Sequence, residues 1–286
     1  NNFAKIRSIK EIDNLGNLLI SEKISEFEEE IKKYDSDLCI ISSEHLSLEL
    51  QTTDEINKLK NVLEDIFDDI KIVIYIRKPL KQAISLLSTQ IKNGQYINKW
   101  YRNYPLRPYR FKRNNNVRRI LKLWESNFPK NLIVRIFEPE QFYENDLIKD
   151  FCKTCRIAYK YNFKKPDKEN TSLNLRQMQY INYLNKKIKI RTFDISLPSL
   201  KYVKISNYIR KNIKSKKFFK PSREEYDQFE DSFKRDEAWI CKNYFPNREF
   251  VWSNESVDFR ERKDILNNFN ELELNELNRF MDLMIS

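Results

Sequence analysis

The stretch IVIYIRKPLKQAIS, residues 72–85, places an arginine at the end of an apolar, β-favouring run and a serine eight positions later. Arginine offers a planar fork that matches the oxygens of a phosphate, a geometry lysine lacks. Pro79 suits the first turn of a helix, and a helix starting there turns Ser85 back toward Arg77. The two residues form a candidate two-point phosphate clamp. They also suit a plainer arrangement, a solvated arginine at a strand end and a serine facing out of its helix.

Glu44 and His45 follow the apolar run DLCIIS at 37–42, and His45 is the single histidine of the chain. An imidazole titrates near neutrality and is the better candidate for a general base, whereas a glutamate needs burial to serve as well. A histidine that merely ends a strand fits the same residues. Between Lys99 and Arg119, KWYRNYPLRPYRFKRNNNVRR holds eight basic residues, five aromatics and no acid. It reads as a long functional loop and not as a core element. Its Trp100, Tyr101, Tyr104 and Tyr109 suit stacking on sugar or base faces, and Arg102, Arg107, Arg110 and Arg113 suit anions. A solvated loop is the plainer reading of each.

These residues need a frame. Ser21 and the following EKISEFEEEIKKY read as a capped amphipathic helix, DLCIIS as a short strand, and Thr52 with Glu55 as the capping box of a second helix. KIVIYI at 71–76 and NLIVRIFE at 131–138 are continuous apolar runs, as strands covered on both faces require. Strand, helix, strand, helix predicts a parallel sheet flanked by helices, an α/β fold. In such sheets ligands bind beyond the carboxyl ends of the strands, where Arg77 and His45 both fall. From Thr171 the pattern becomes mostly helical, including a capping box at Ser222 and Glu225, and Val203 and Ile209 read as core positions. This divides the chain into an α/β region at 1–170 and a helical region at 171–286.

Composition narrows the chemistry. The chain has 286 residues, 53 Lys and Arg against 42 Asp and Glu, and a formal charge of +11, which favours anionic partners. With only two glycines, Gly16 and Gly94, a glycine-rich phosphate loop is excluded within these residues. Four cysteines and one histidine make no metal site; Cys152 and Cys155 lie in a helical pattern without a second ligand pair and read as structural thiols. No run of about 18 apolar residues is present, so a soluble, cytoplasmic protein is expected.

An arginine and serine in this strand-helix spacing, preceded by Glu44-His45-Leu46, resemble the sulfotransferase family that uses 3′-phosphoadenylyl sulfate. The resemblance is strongest to bacterial sulfotransferase-like proteins, through the WESNF-PKNLIVRIFE segment and the turn Asn170-Thr171-Ser172-Leu173. It covers much of residues 37–175 and, more weakly, 222–245. It implies a P-loop sulfotransferase-like fold, Arg77 and Ser85 on the 3′-phosphate of the donor, and His45 or Glu44 as the base. The implied reaction moves a sulfuryl group to a hydroxyl or amine of a carbohydrate-type acceptor, with no metal, and Arg102, Tyr104, Arg107 and Arg110 near that acceptor. The family's N-terminal phosphate-binding loop has no counterpart in residues 1–36, whose pattern resembles the helical region that follows it; loss of upstream residues is the expectation. Two other readings remain: a non-catalytic polyanion binder, with nucleic acid disfavoured for want of a recognised motif, and a glycosyltransferase of surface polysaccharide synthesis.

Overall fold

A computed structural model describes residues 9–34, 37–43, 45–98, 104–160, 172–188, 200–253, 257–261 and 265–285. The protein is mixed α/β and mostly helical, with a two-stranded parallel sheet. The order is α1 (Ile9–Lys33), α2 (His45–Glu49), α3 (Thr53–Glu64), β1 (Ile72–Ile76), α4 (Pro79–Lys92), α5 (Pro108–Asn114), α6 (Val117–Asn127), β2 (Leu132–Ile136), α7 (Leu147–Thr154), α8 (Leu175–Ile188), α9 (Leu200–Asn212), α10 (Arg223–Tyr244) and α11 (Glu271–Ile285). Two short 3-10 turns lie between β2 and α7. Among the described residues no helix is long and apolar enough to cross a membrane.

The chain divides into two compact units, one of residues 1–73 with 119–133, the other of 74–118 with 134–286. In the first, the Thr52 hydroxyl accepts from the Glu55 amide while Glu55 accepts from the Thr52 amide, so α3 opens with the capping box its sequence announces. Ile56, Leu63, Leu121, Trp124 and Phe128 are buried, with the Trp124 and Phe128 rings stacked at 6.0 Å. Arg119 fastens α6 to Gln51 through the latter's side-chain and backbone oxygens, at 2.6 and 3.2 Å.

The expected strand at 37–42 is not one. Residues 38–43 are irregular and join no ladder among the described residues, and Leu38, Ile40 and Ile41 are about half exposed. An apolar run states that a segment can be a strand; a ladder also needs a neighbour, which lies elsewhere in the chain. α1 begins well before Ser21, at Ile9.

The second unit holds the larger core. α4 packs on α8 and α10, α8 on α9, and α10 on α5. This cluster joins Leu80, Leu87 and Ile91 of α4 to Met178, Ile181 and Leu184 of α8, across the expected boundary at residue 170. Tyr104, Leu106 and Phe111 belong to it, and Phe111 meets Phe229 and Phe233 at 5.6 and 6.0 Å. The segment after Tyr104 therefore contributes to the core and forms its own helix α5, while Tyr109 stays exposed; its buried rings lie among a high density of basic residues that disguised them. Val203, expected in the core, is exposed, while Ile209 is fully buried.

Side-chain amides of α8 hold much of this unit's irregular backbone. Asn182 accepts from the Ile97 amide at 2.7 Å and donates to the Ile97 carbonyl at 2.9 Å. Asn185 donates to the carbonyls of Ile91 and Gln95, Gln177 to those of Arg210 and Ile213, and Gln179 to that of Ile265. These amide side chains are buried, so each bond spares a costly unpaired amide.

Candidate anion-binding site

β1 ends at Ile76, whose carbonyl accepts from the Phe137 amide at 2.7 Å just beyond β2. Pairing continues to the carboxyl ends of both strands, so Arg77 leaves the sheet beside Phe137. Lys78 then caps α4, and Pro79 occupies its first turn, where a missing N–H costs nothing. The guanidinium of Arg77 lies over the Phe137 ring, 5.6 Å from its centroid. It is half-buried, and burial lowers its pKa. Among the described residues no carboxylate pairs with it. A cation withdrawn from water without a counter-charge is costly unless an anion completes it.

Ser85 is half-buried in α4, as the spacing predicts, and its hydroxyl bonds to no described residue, Arg77 included. Three positions on, Ser88 is buried and accepts from the Leu173 amide at 2.9 Å, tying α4 to the residues just before α8. The two serines have separate duties. Ser88 is structural, and Ser85 is left with an uncommitted hydroxyl.

The rim of this region is polar and was not foreseen. Glu138, next to Phe137, is buried; one carboxylate oxygen accepts from the Ser253 amide at 3.0 Å, and the other lies 4.0 Å from the Lys81 ammonium with no hydrogen bond. Burial pushes the Glu237 carboxyl up, as does the nearby Glu230, while Lys78 and the amides of Trp252 and Val251 pull it down. Lys78 pairs with Glu230 at 3.2 Å and lies over the Tyr226 ring at 5.5 Å. The only sequence signal for Glu138 is its place just after an apolar strand. Glu237 and Ser253 gave none.

The residues expected at an acceptor separate. Tyr104 is buried and donates to Glu225 at 3.2 Å, and its hydroxyl pKa is raised by burial and by the Glu225 charge. It has no open ring face for stacking, because it is part of the core. Its partner Glu225 makes a buried, two-pronged pair with Arg260, both contacts at 2.6 Å, and also caps α10 through the Ser222 amide. Arg107 caps α5 and Arg110 lies within it, both half-buried, and Arg110 has no ion pair among the described residues. Arg113 is exposed. Arg102, with Trp100 and Tyr101, lies outside the described residues, as does Glu44. His45, in the first unit, opens the five-residue α2; its side chain is 71% exposed, and Nδ1 is 3.9 Å from Glu49.

No protein-family model, curated protein or solved structure matches this chain. The functional reading therefore rests on residues. Two cationic residues close to the sheet end, Lys78 and Lys81, already face carboxylates, whereas Arg77 lies over an aromatic ring and meets no carboxylate among the described residues.

Proposed function

We propose that Arg77 binds the 3′-phosphate of an adenosine 3′,5′-bisphosphate moiety, and that the protein is a P-loop sulfotransferase-like enzyme using 3′-phosphoadenylyl sulfate. The observation that carries this reading is the half-buried guanidinium at the carboxyl end of β1 with no carboxylate partner among the described residues. The residues around it suit a phosphate. The fork of Arg77 supplies two parallel donors and the Phe137 ring lies beneath it; Ser85, on the helix that follows, is the second point of the clamp in this reading. The N-terminus of α4, immediately after Arg77, adds a partial positive charge.

A carbohydrate hydroxyl or amine attacks the donor's sulfur, a new bond to sulfur forms as the S–O bond to the 5′-phosphate breaks, and adenosine 3′,5′-bisphosphate leaves. A general base takes the acceptor proton in this reading. Arg102, Arg107 and Arg110 are the acceptor-side cations. Tyr104, being buried, holds Glu225 and takes no part.

The test is calorimetric titration of 3′-phosphoadenosine 5′-phosphate into the chain, with 5′-AMP and Arg77→Ala as controls. Binding that requires both the 3′-phosphate and Arg77 is the expected outcome. Equal binding of 5′-AMP, or undiminished binding by Arg77→Ala, overturns it. Salt-sensitive binding of any single-stranded oligonucleotide without bisphosphate selectivity would mark a polyanion binder instead.

A further inference from the structure

Residues 202–220 contain no acidic residue, and the structure sorts them into two faces. Tyr202, Ile205, Ile209 and Phe219 are buried, whereas Lys204, Arg210, Lys211, Lys214, Lys216, Lys217 and Lys220 are exposed. Lys220 pairs with Asp258 at 2.7 Å. The cationic character extends to α4, where burial and then the charge of Arg210 lower the Lys92 pKa.

Apolar side chains stand among these cations. Phe218 is 57% exposed, with Val203 and Tyr208 also partly open to solvent, one face of the Tyr208 ring stacking on Phe280 at 5.6 Å. Phe218 is held out by fixed neighbours. The Ile213 carbonyl accepts from Asn174 and Gln177, the Lys217 carbonyl accepts from the Leu175 amide, and Phe219 is anchored inward beneath the Arg260 guanidinium at 5.0 Å. A backbone anchored at Phe219 on one side of Phe218 and pinned at Lys217 on the other presents that ring to whatever lies outside.

We propose that the exposed face of α9 and the segment 213–220 is a docking surface for a membrane bearing anionic phospholipids. The cations meet the headgroup charge, and Phe218, Tyr208 and Val203 enter the boundary between headgroups and acyl chains. The composition favours lipid over nucleic acid. Six of the seven exposed cations are lysines, which lack the fork that reads phosphates and bases but carry long stems that reach an interface. Val203 has no ring to stack on a base, whereas lipid accepts it.

The experiment is co-sedimentation of the full chain with vesicles of phosphatidylcholine containing phosphatidylglycerol, against vesicles of phosphatidylcholine alone. The chain sediments with the first and not the second. Reversal of Lys214, Lys216 and Lys217 to Glu weakens partitioning by at least about tenfold, since each basic residue near the surface contributes substantially. Phe218→Ser weakens it severalfold and leaves the salt dependence unchanged, and Lys204→Glu repeats the charge effect from α9. Thermal melts of these surface variants match the parent. No sedimentation with anionic vesicles overturns the proposal. So does a Phe218→Ser variant that partitions like the parent, or a single-stranded oligonucleotide bound equally tightly with the same dependence on the lysines.

Discussion

Two arginines of the second unit meet opposite conditions. Arg260 is buried, with two contacts to Glu225, a further donation to the Lys220 carbonyl at 3.3 Å and the Phe219 ring beneath it. Arg77 is half-buried over Phe137, and no described carboxylate answers it. Both rest on aromatic rings, so the difference lies in the counter-charge. A paired, enclosed cation fixes the fold; one that keeps partial access and lacks a partner is placed for a charge from outside. The contrast separates arginines that sequence alone treats alike.

The largest effect tests the structural side. Arg260→Ala leaves Glu225 charged in the interior and destabilises the protein by about 3–5 kcal/mol, read as a lower melting temperature. A melt unchanged within about 1 kcal/mol would remove the contrast. Arg77→Ala is the counterpart. It leaves stability within about 1 kcal/mol and weakens bisphosphate binding by about 1.5–3 kcal/mol, the loss of a charge-assisted hydrogen bond, measured by calorimetry. If the melt of Arg77→Ala falls as far as that of Arg260→Ala, Arg77 is structural too.

A second paired arginine sharpens the structural side. Asp150 is buried and accepts from Arg135 and from the Tyr75 hydroxyl at 2.7 Å, and Tyr143 donates its amide at 2.8 Å. Burial alone would raise the Asp150 carboxyl, but the bonds from Arg135, Tyr75 and Tyr143 together hold it below its ordinary value. Burial and then Asp150 push the Tyr75 hydroxyl up to about 12. A phenol raised on folding lends stability that is fully present below its unfolded pKa of about 10 and is lost as pH climbs through the folded value. Tyr75→Phe therefore lowers stability at neutral pH by about 1 kcal/mol and flattens the decline above about pH 10, followed by denaturant melts across pH. Asp150 works in the other direction, its contribution being present above the unfolded carboxylate pKa and lost as pH falls through the lowered one.

The smallest effect concerns the clamp itself. Ser85→Ala weakens bisphosphate binding by about 1 kcal/mol, roughly fivefold, with no change in melting, whereas Ser88→Ala lowers the melt because it strands the Leu173 amide. The reverse pattern would exchange the roles of the two serines.

Local features were legible in the sequence. The boxes at Thr52 and Ser222 announced helix starts because cap and partner lie three residues apart, and the apolar runs before Arg77 and Glu138 announced β1 and β2. The segment at 37–42 also carries an apolar run, yet its fate depends on pairing that composition does not encode. The acid partners of the site were illegible for the same reason: Glu138 meets the Ser253 amide across 115 positions. Arg77 was found through strand-end position, but its lack of a carboxylate became visible only when its neighbours were in place. Tyr104 was misjudged because a ring among arginines looks the same in sequence whether it faces water or a core.

The amide row on α8 sets an order in time. The carbonyls of Ile91, Gln95 and Ile97 are bonded by side chains made 94, 90 and 85 positions later. The Ile91 carbonyl also accepts from the Gly94 amide at 3.1 Å, but those of Gln95 and Ile97 gain these bonds only once α8 has left the ribosome, so the segment after α4 settles late, although it is translated early. Once α8 docks, it closes the stretches at 91–97, 210–213 and 265 together, and none of them opens fully without breaking its grip.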